Sequence, residues 1–157
     1  MNIFYLHKDP YKAASYVYDK HKVKMILESA QMLCTAHRYY GNDNVPYKTA
    51  HLNHPSSIWV RSDALHYYWT YDYMMALGKL YTQRYNKFHL TIEKCHDVLS
   101  YLPEGIPDKG QWQDPPQCMP DEYKCEDSRL AYWNYYINAK KHIITKNETA
   151  YERIQNL

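Results

Sequence analysis

The chain has 157 residues and a formal net charge of +2, with 19 Tyr, 4 Trp and only 2 Phe. That length fits one domain with a core large enough to stand without disulfide staples. The aromatic content excludes a disordered chain, and the 4 Gly and 8 Pro exclude collagen-like and linker-like classes; so small a net charge does not by itself mark a nucleic-acid-binding surface.

In chain order, Asn2 to Leu6 has extended character. Asp9-Pro10 then reads as a helix start, with Asp as the cap and Pro at the first helical position. The stretch without Gly or Pro that follows predicts one long first helix over about residues 11–38. A polar connection holds Gly41, Asn42, Asp43, Asn44 and Pro46. A central helix is expected over about 56–85, opened at Pro55, with Ser62-Asp63 able to cap a restart. Thr91 is expected to cap a third helix over about 91–101. The segment 103–120 carries Pro103, Pro107, Pro115, Pro116 and Pro120 and must be irregular; a loop of that length is often functional or lid-like. Asp127 or Ser128 starts a last helix over about 127–144, and the tail from 147 to 157 is expected to fray. Strand signals are almost absent. The expected fold is all-α: a compact single-domain bundle of about four helices around a central aromatic-rich helix, with one long Pro-rich loop.

Charge is unevenly placed. Lys8, Lys12, Lys20, Lys22, Lys24 and Arg38 make the first helix region basic and solvent-facing, and Glu104, Asp108, Asp114, Asp121, Glu122, Glu126 and Asp127 make 102–128 acidic. No run of 18 apolar residues is present, so no membrane span is expected. Met1 to Leu6 is too short an apolar start for a signal peptide, and Cys34, Cys95, Cys118 and Cys125 read as free thiols of a cytoplasmic protein.

Projected at helical spacing, Val23, Ile26, Leu27, Ala30, Leu33 and Cys34 form a core face of the first helix. The opposite face mixes Val17, Met25 and Met32 with His21, Lys24, Glu28 and Gln31. A solvated face does not need those apolar residues, and a buried packing face does not favour those polar ones, so the pattern fits a pocket wall or a second packing face with paired polar groups. The central helix is apolar nearly all round, with a narrow polar line of Arg61, Asp72, Lys79 and Gln83. Its tyrosine hydroxyls need partners, or else line a cavity suited to stacking on a base. His51-x-x-His54 lacks a third metal ligand at usual spacing, so no metal is assigned; His54 beside a helix N-terminus serves either as a cap or as a neutral donor. Neither a P-loop, a G-x-S-x-G nor a G-x-G-x-x-G occurs, and no cofactor is implied. Tyr39-Tyr40, Tyr67-Tyr68-Trp69 and Tyr132-Trp133-Asn134-Tyr135-Tyr136 are aromatic clusters, the last followed by Lys140, Lys141 and His142. Aromatics beside cations suit a nucleotide or a single strand, or a core with a basic helix end.

Several stretches resemble a family of small tailed-phage proteins: Asp19-Lys20-His21, Val23-Lys24-Met25-Ile26-Leu27-Glu28, Gln31-Met32-Leu33, His54-Pro55-Ser56-Ser57-Ile58-Trp59-Val60-Arg61, Tyr81-Thr82-Gln83-Arg84-Tyr85 and Met119-Pro120-Asp121-Glu122. That resemblance spans most of the chain and implies the cytoplasm of an infected bacterial host, but it brings no settled activity. A looser resemblance is to the pyrimidine-dimer glycosylase/endonuclease V family. It rests on Glu28, seven residues after His21 in a first long helix, and on the aromatics Trp133 to Tyr136 near the C-terminus. The family implies a compact all-α DNA-repair enzyme whose N-terminal α-amine attacks the sugar C1′ and whose first helix supplies a catalytic Glu. Asn2 departs from it, because a side chain of that size leaves Met1 in place.

The expected function is therefore cleavage of a glycosidic or phosphodiester bond in a nucleotide or nucleic acid. Glu28, His21 and the Met1 amine are the expected catalytic residues, and Lys24, Gln31, Arg61, His54, Tyr68, Trp133 and Tyr136 the expected ligand contacts. Two other readings remain open: a binder that sequesters a host signalling nucleotide, and a host-protein-binding inhibitor. A homodimer is also left open.

Overall fold

A computed structural model describes residues 1–143, which contain six α-helices, three 3-10 turns and no strand. In chain order they are α1 Pro10–Tyr16, α2 Asp19–Tyr39, α3 Pro55–Ser62, α4 Ala64–Tyr85, α5 Leu90–Cys95 and α6 Ser128–Ala139. The 3-10 turns are Val98–Ser100, Asp121–Tyr123 and Lys141–Ile143. The end of the expected last helix at 144 and the tail from 147 lie outside the described residues.

Local capping explains most helix starts. Asp9 accepts from the backbone N–H of Tyr11 and Lys12, and Asp127 from those of Arg129 and Leu130. Each cap supplies an acceptor to donors that a helix leaves unpaired, worth about 1 kcal/mol. Two expected long helices are interrupted. The first breaks at Val17, whose backbone is extended at ψ 138°. The break is held from outside the helix: the hydroxyl of Tyr136 accepts from Tyr18 N–H at 2.8 Å, and the Lys22 ammonium donates to the Val17 carbonyl. The central helix breaks at Asp63, φ −159°, which caps the restart by accepting from Leu65 N–H and also takes the Lys109 N–H. The bundle therefore has six helices rather than about four. The third helix starts earlier than expected and is short, because His89 and not Thr91 is its cap; Thr91 is buried and hydrogen-bonds Tyr47.

α2 and α4 pack along each other at the centre, with α1 against α4 and α3 against both. The face of α2 is rotated from the expected one. Val23 and Leu27 lie at the surface, 38% and 36% exposed, while Met25, Met32 and His21 are buried beside Ile26, Ala30, Leu33 and Cys34. Nor are all the basic residues of this region solvated: Lys22 is buried, its ammonium held by the Val17 carbonyl and by Asp19 at 3.0 Å. Ile3 to Leu6, ahead of the first helix, is fully inside the core. Residues 103–120 are irregular but are not a lid. Their backbone is tied to the helices: Trp59 Nε1 donates to Gln113 O, Gln113 N–H to His66 Nε2, and Ser128 to Pro115 O.

The buried tyrosines divide by whether the hydroxyl is paired. Tyr67 donates to Leu99 O at 2.7 Å and meets His37 Nε2 at 2.8 Å, and His37 is fixed in turn by Asn42. Tyr73 is fully buried and its hydroxyl has no hydrogen-bond partner among the described residues. Removing a paired hydroxyl strands its partners, whereas removing an unpaired one relieves a desolvation cost. Tyr67→Phe is therefore expected to lower the unfolding free energy by about 1–3 kcal/mol, and Tyr73→Phe to leave it unchanged or raise it. Urea denaturation of the two variants beside the parent protein checks the contrast.

Candidate functional site

The buried N-terminal segment brings the start of the chain against α2. The Met1 α-ammonium lies 3.9 Å from Glu28 Oε1, and Lys24 Nζ lies 3.8 Å from the same oxygen. Glu28 is 15% exposed, so it is largely shielded yet reachable, while Lys24 is 71% exposed. Around this group opens a cleft of about 230 Å³ lined by Met1, Asn2, Phe4, His21, Lys24, Glu28, Tyr135 and Lys140. A second cleft shares His21, Lys24 and Lys140 and adds Lys20 and His142. Together they form a cationic mouth over one carboxylate.

The position of the chain start follows from Asn2. Its Nδ2 donates to Cys118 O at 2.8 Å, and its Oδ1 accepts from the Tyr132 hydroxyl at 2.9 Å and from Ile3 N–H at 2.8 Å. Phe4 then packs edge-on to His21, with ring centroids 4.7 Å apart, and stacks in parallel with Tyr135 at 6.1 Å. The Lys140 ammonium lies 5.5 Å from the Tyr135 ring centre and 5.9 Å from that of Phe4, a cation over two aromatic faces.

His21 is inside this group as a neutral imidazole. Burial, and then the charges of Lys140 and Lys24, lower its pKa to about 3. Its Nδ1 meets the Tyr136 hydroxyl at 3.0 Å. His54 lies close by: the Met1 ammonium lowers its pKa and Glu28 opposes that, both after burial. Its Nδ1 accepts from Ser56 N–H, so it is the N-cap of α3.

Of the expected catalytic residues, the fold brings Met1, His21 and Glu28 together with Lys24. The expected ligand contacts scatter. Arg61, expected as a ligand contact, is buried in α3, where it donates to Leu52 O and stacks on Tyr39, away from the cleft. Gln31 is half-buried and does not line the cleft. Tyr68 is 43% exposed on α4 in a different cleft. Trp133 packs on Tyr16 and lines an apolar patch with Arg129, Leu130 and Ile137. Tyr136 is fully buried and acts behind the cleft, on His21 and Tyr18. Its neighbour Tyr135 is the aromatic that reaches the cleft, together with Asn2, Phe4 and Lys140, none of which the sequence singled out as ligand contacts. Period-two alternation from Met1 does point Phe4 away from Tyr5, and Lys140 follows the aromatic cluster by one helical turn, so weak signals for both were present.

Compared with known proteins, the chain matches no family model, no curated protein and no solved structure. Its site is therefore read from its own geometry. Among the described residues, no group of three His, Cys, Asp or Glu side chains is placed to hold a metal, and no helix is long and apolar enough to cross a membrane.

The state of His21 gives a test. In the unfolded chain a histidine titrates near about 6.5, so the unfolded state takes up the proton first. The stability due to neutral His21 is complete above that pH and is lost as pH falls toward the folded value of about 3. An NMR titration is expected to show the His21 ring signals unshifted from pH 8 to 4. His21→Gln is expected to flatten the acid loss of stability, by up to about 1.4 kcal/mol per pH unit between those limits.

Proposed function

We propose that this protein is an enzyme that cleaves a glycosidic bond in a nucleotide or nucleic-acid substrate, using the Met1 α-amine as nucleophile and Glu28 as acid/base. The observation that carries the reading is the shielded amine–carboxylate pair, 3.9 Å apart, at the floor of a cleft with a cationic mouth. A carboxylate beside an amine does two things for amine chemistry. It attracts the amine into place, and it can take and return a proton as the amine adds to a carbon centre.

In this scheme the Met1 ammonium first gives a proton to solvent; the neutral amine then forms a bond to the sugar C1′ as the C1′–base bond breaks, and the departing base keeps that electron pair and takes a proton from water. The carboxylate takes the proton that the attacking nitrogen sheds. It then delivers that proton to the ring oxygen as the sugar opens, leaving a protonated imine between Met1 and C1′ that water hydrolyses. Neutral His21 at the edge of the cleft can donate to or accept from a sugar hydroxyl. Lys20, Lys24 and Lys140 attract the phosphates, and the Phe4–Tyr135 pair offers a stacking surface. The resemblance to the pyrimidine-dimer glycosylase/endonuclease V family points to the same pair of groups. The cytoplasm of an infected bacterial host is the compartment that goes with this reading.

The test is reductive trapping. The protein is incubated with damaged or abasic oligonucleotides and with free nucleotides in the presence of borohydride, and the products are mapped by peptide mass spectrometry. The expected result is an adduct on the Met1 amine. Glu28→Gln is expected to lose turnover by at least about 100-fold while still binding the oligonucleotide. Full activity in Glu28→Gln, or an adduct on Lys24 in place of Met1, overturns the assignment. An intact bound nucleotide without product favours sequestration instead.

A further inference from the structure

A separate cleft, of about 300 Å³, opens beside the start of α1 and the first turns of α4 and shares no residue with the two clefts around Glu28 and His21. Pro10, Tyr68, Trp69 and Trp112 line it, together with Asp72 and Lys8. Its walls are aromatic and already spent as hydrogen-bond donors. Trp69 Nε1 donates to Lys8 O at 2.8 Å and Trp112 Nε1 to Asp114 Oδ1 at 3.0 Å, so both indoles meet a ligand as hydrocarbon ring surface, Trp69 by the small part that its stack on Tyr73 leaves uncovered. Both indoles are braced from behind. Tyr5 lies 5.7 Å from Trp69 and 6.2 Å from Trp112, and Trp59 meets both nearly edge-on at 6.2 Å and 5.5 Å.

Asp72 is the anomaly. It is half-buried among these rings and has neither a hydrogen bond nor an ion pair among the described residues. Burial raises its pKa, which records the cost of keeping the carboxylate ionised there. Among the described residues the cation lining the cleft is Lys8, which is solvent-exposed and does not pair with it. A single carboxylate without other oxygen ligands does not suit a metal ion. With π faces beside it, it suits a cation whose charge is spread over hydrocarbon or a flat fork.

We infer that this cleft binds a small organic cation, with an alkylated ammonium or guanidinium head lying against Trp69, Trp112 and Tyr68 and its charge met by Asp72. The volume is that of a small ligand site. The site is independent of the amine–carboxylate chemistry, and its fate in an experiment does not depend on that reading.

The experiment titrates tetramethylammonium and methylguanidinium into the whole protein, following the indole N–H signals by NMR, with neutral tert-butanol as the isostere. Saturable shifts centred on Trp69 and Trp112 are expected for the cations and not for the alcohol. Asp72→Asn is expected to weaken binding by about tenfold or more. Because the Asp72 carboxylate has no partner to lose, this variant should keep the parent's thermal midpoint or exceed it. Lys8→Ala removes a like charge and is expected to tighten binding. Equal binding of the alcohol, unchanged affinity in Asp72→Asn, or weaker binding in Lys8→Ala overturns the proposal, the last result marking an anion site. A blocked arginine peptide that binds no tighter than methylguanidinium supports a free small molecule. One that binds far tighter overturns that assignment in favour of a protein partner's side chain.

Discussion

The arrangement depends on how the first residues of the chain are held. A chain start is ordinarily the least ordered part of a domain, because few contacts offset the entropy of fixing it. Here Asn2 is gripped on both sides of its amide by Cys118 O and the Tyr132 hydroxyl, and Ile3 to Leu6 is at most 3% exposed. The partners come from two neighbouring stretches of the second half of the chain, the end of the Pro-rich segment and α6. That explains why 103–120 can be long and irregular without being loose. Its carbonyls serve as acceptors for Trp59, Ser128, Tyr132 and Asn2, so it works as a brace. Prolines suit that task, since they fix the backbone while leaving the carbonyl free.

The electrostatics of the site follow from this clamp. At 3.9 Å the Met1 amine and Glu28 attract without forming a tight hydrogen bond, and Lys24 competes for the same oxygen from a largely solvated position. The Lys24 pairing, made from a largely solvated side chain, contributes little to stability. The shielded Met1–Glu28 pair acts locally, in orienting a carboxylate in a partly enclosed space. His21 belongs to the same field but responds oppositely: the surrounding lysines and burial keep it uncharged. The cleft thus presents one carboxylate, one neutral imidazole and several cations, a division of charge that a bare helix surface does not maintain.

Part of this was legible in the sequence and part was not, for identifiable reasons. Asp9-Pro10 and Asp127 were visible because capping is local chemistry. His21 and Glu28 were visible as a pair because seven residues return to the same side of a helix. The break at Val17 was not visible, since neither Gly nor Pro marks it; it is held by Tyr136, more than a hundred residues away. Arg61 was expected to contact a ligand, and its place in the interior was not visible because burial of an arginine depends on carbonyls that only the fold supplies, here Leu52 O. The choice between Tyr135 and Tyr136 turned on about 100° of helix phase, which shifts with where the helix starts and against what it packs. Val23 and Leu27 failed for the same reason, being placed on the core face of a helix whose actual seam lies about one residue over.

The tyrosine-rich composition acquires its meaning from the same N-terminal segment. Phe4 and Tyr5 point to different sides of the segment, around a tight turn in which Leu6 N–H donates to Phe4 O at 2.9 Å. Phe4 faces His21, Tyr132, Tyr135 and Tyr136, while Tyr5 faces Trp69, Trp112 and Asp114. One buried strip of four residues separates two aromatic walls, one behind the amine–carboxylate cleft and one behind the Asp72 cleft. Tyrosine does in this core what phenylalanine cannot, because its ring fills the interior while its hydroxyl satisfies a backbone group left over by an interrupted helix or an irregular loop. Tyr136 does so for Tyr18, Tyr132 for the Pro-rich segment, and Tyr67 for the turn at Leu99. A fold with this many broken helices leaves many backbone groups without helical partners, and the hydroxyls are the donors and acceptors that let those breaks be buried.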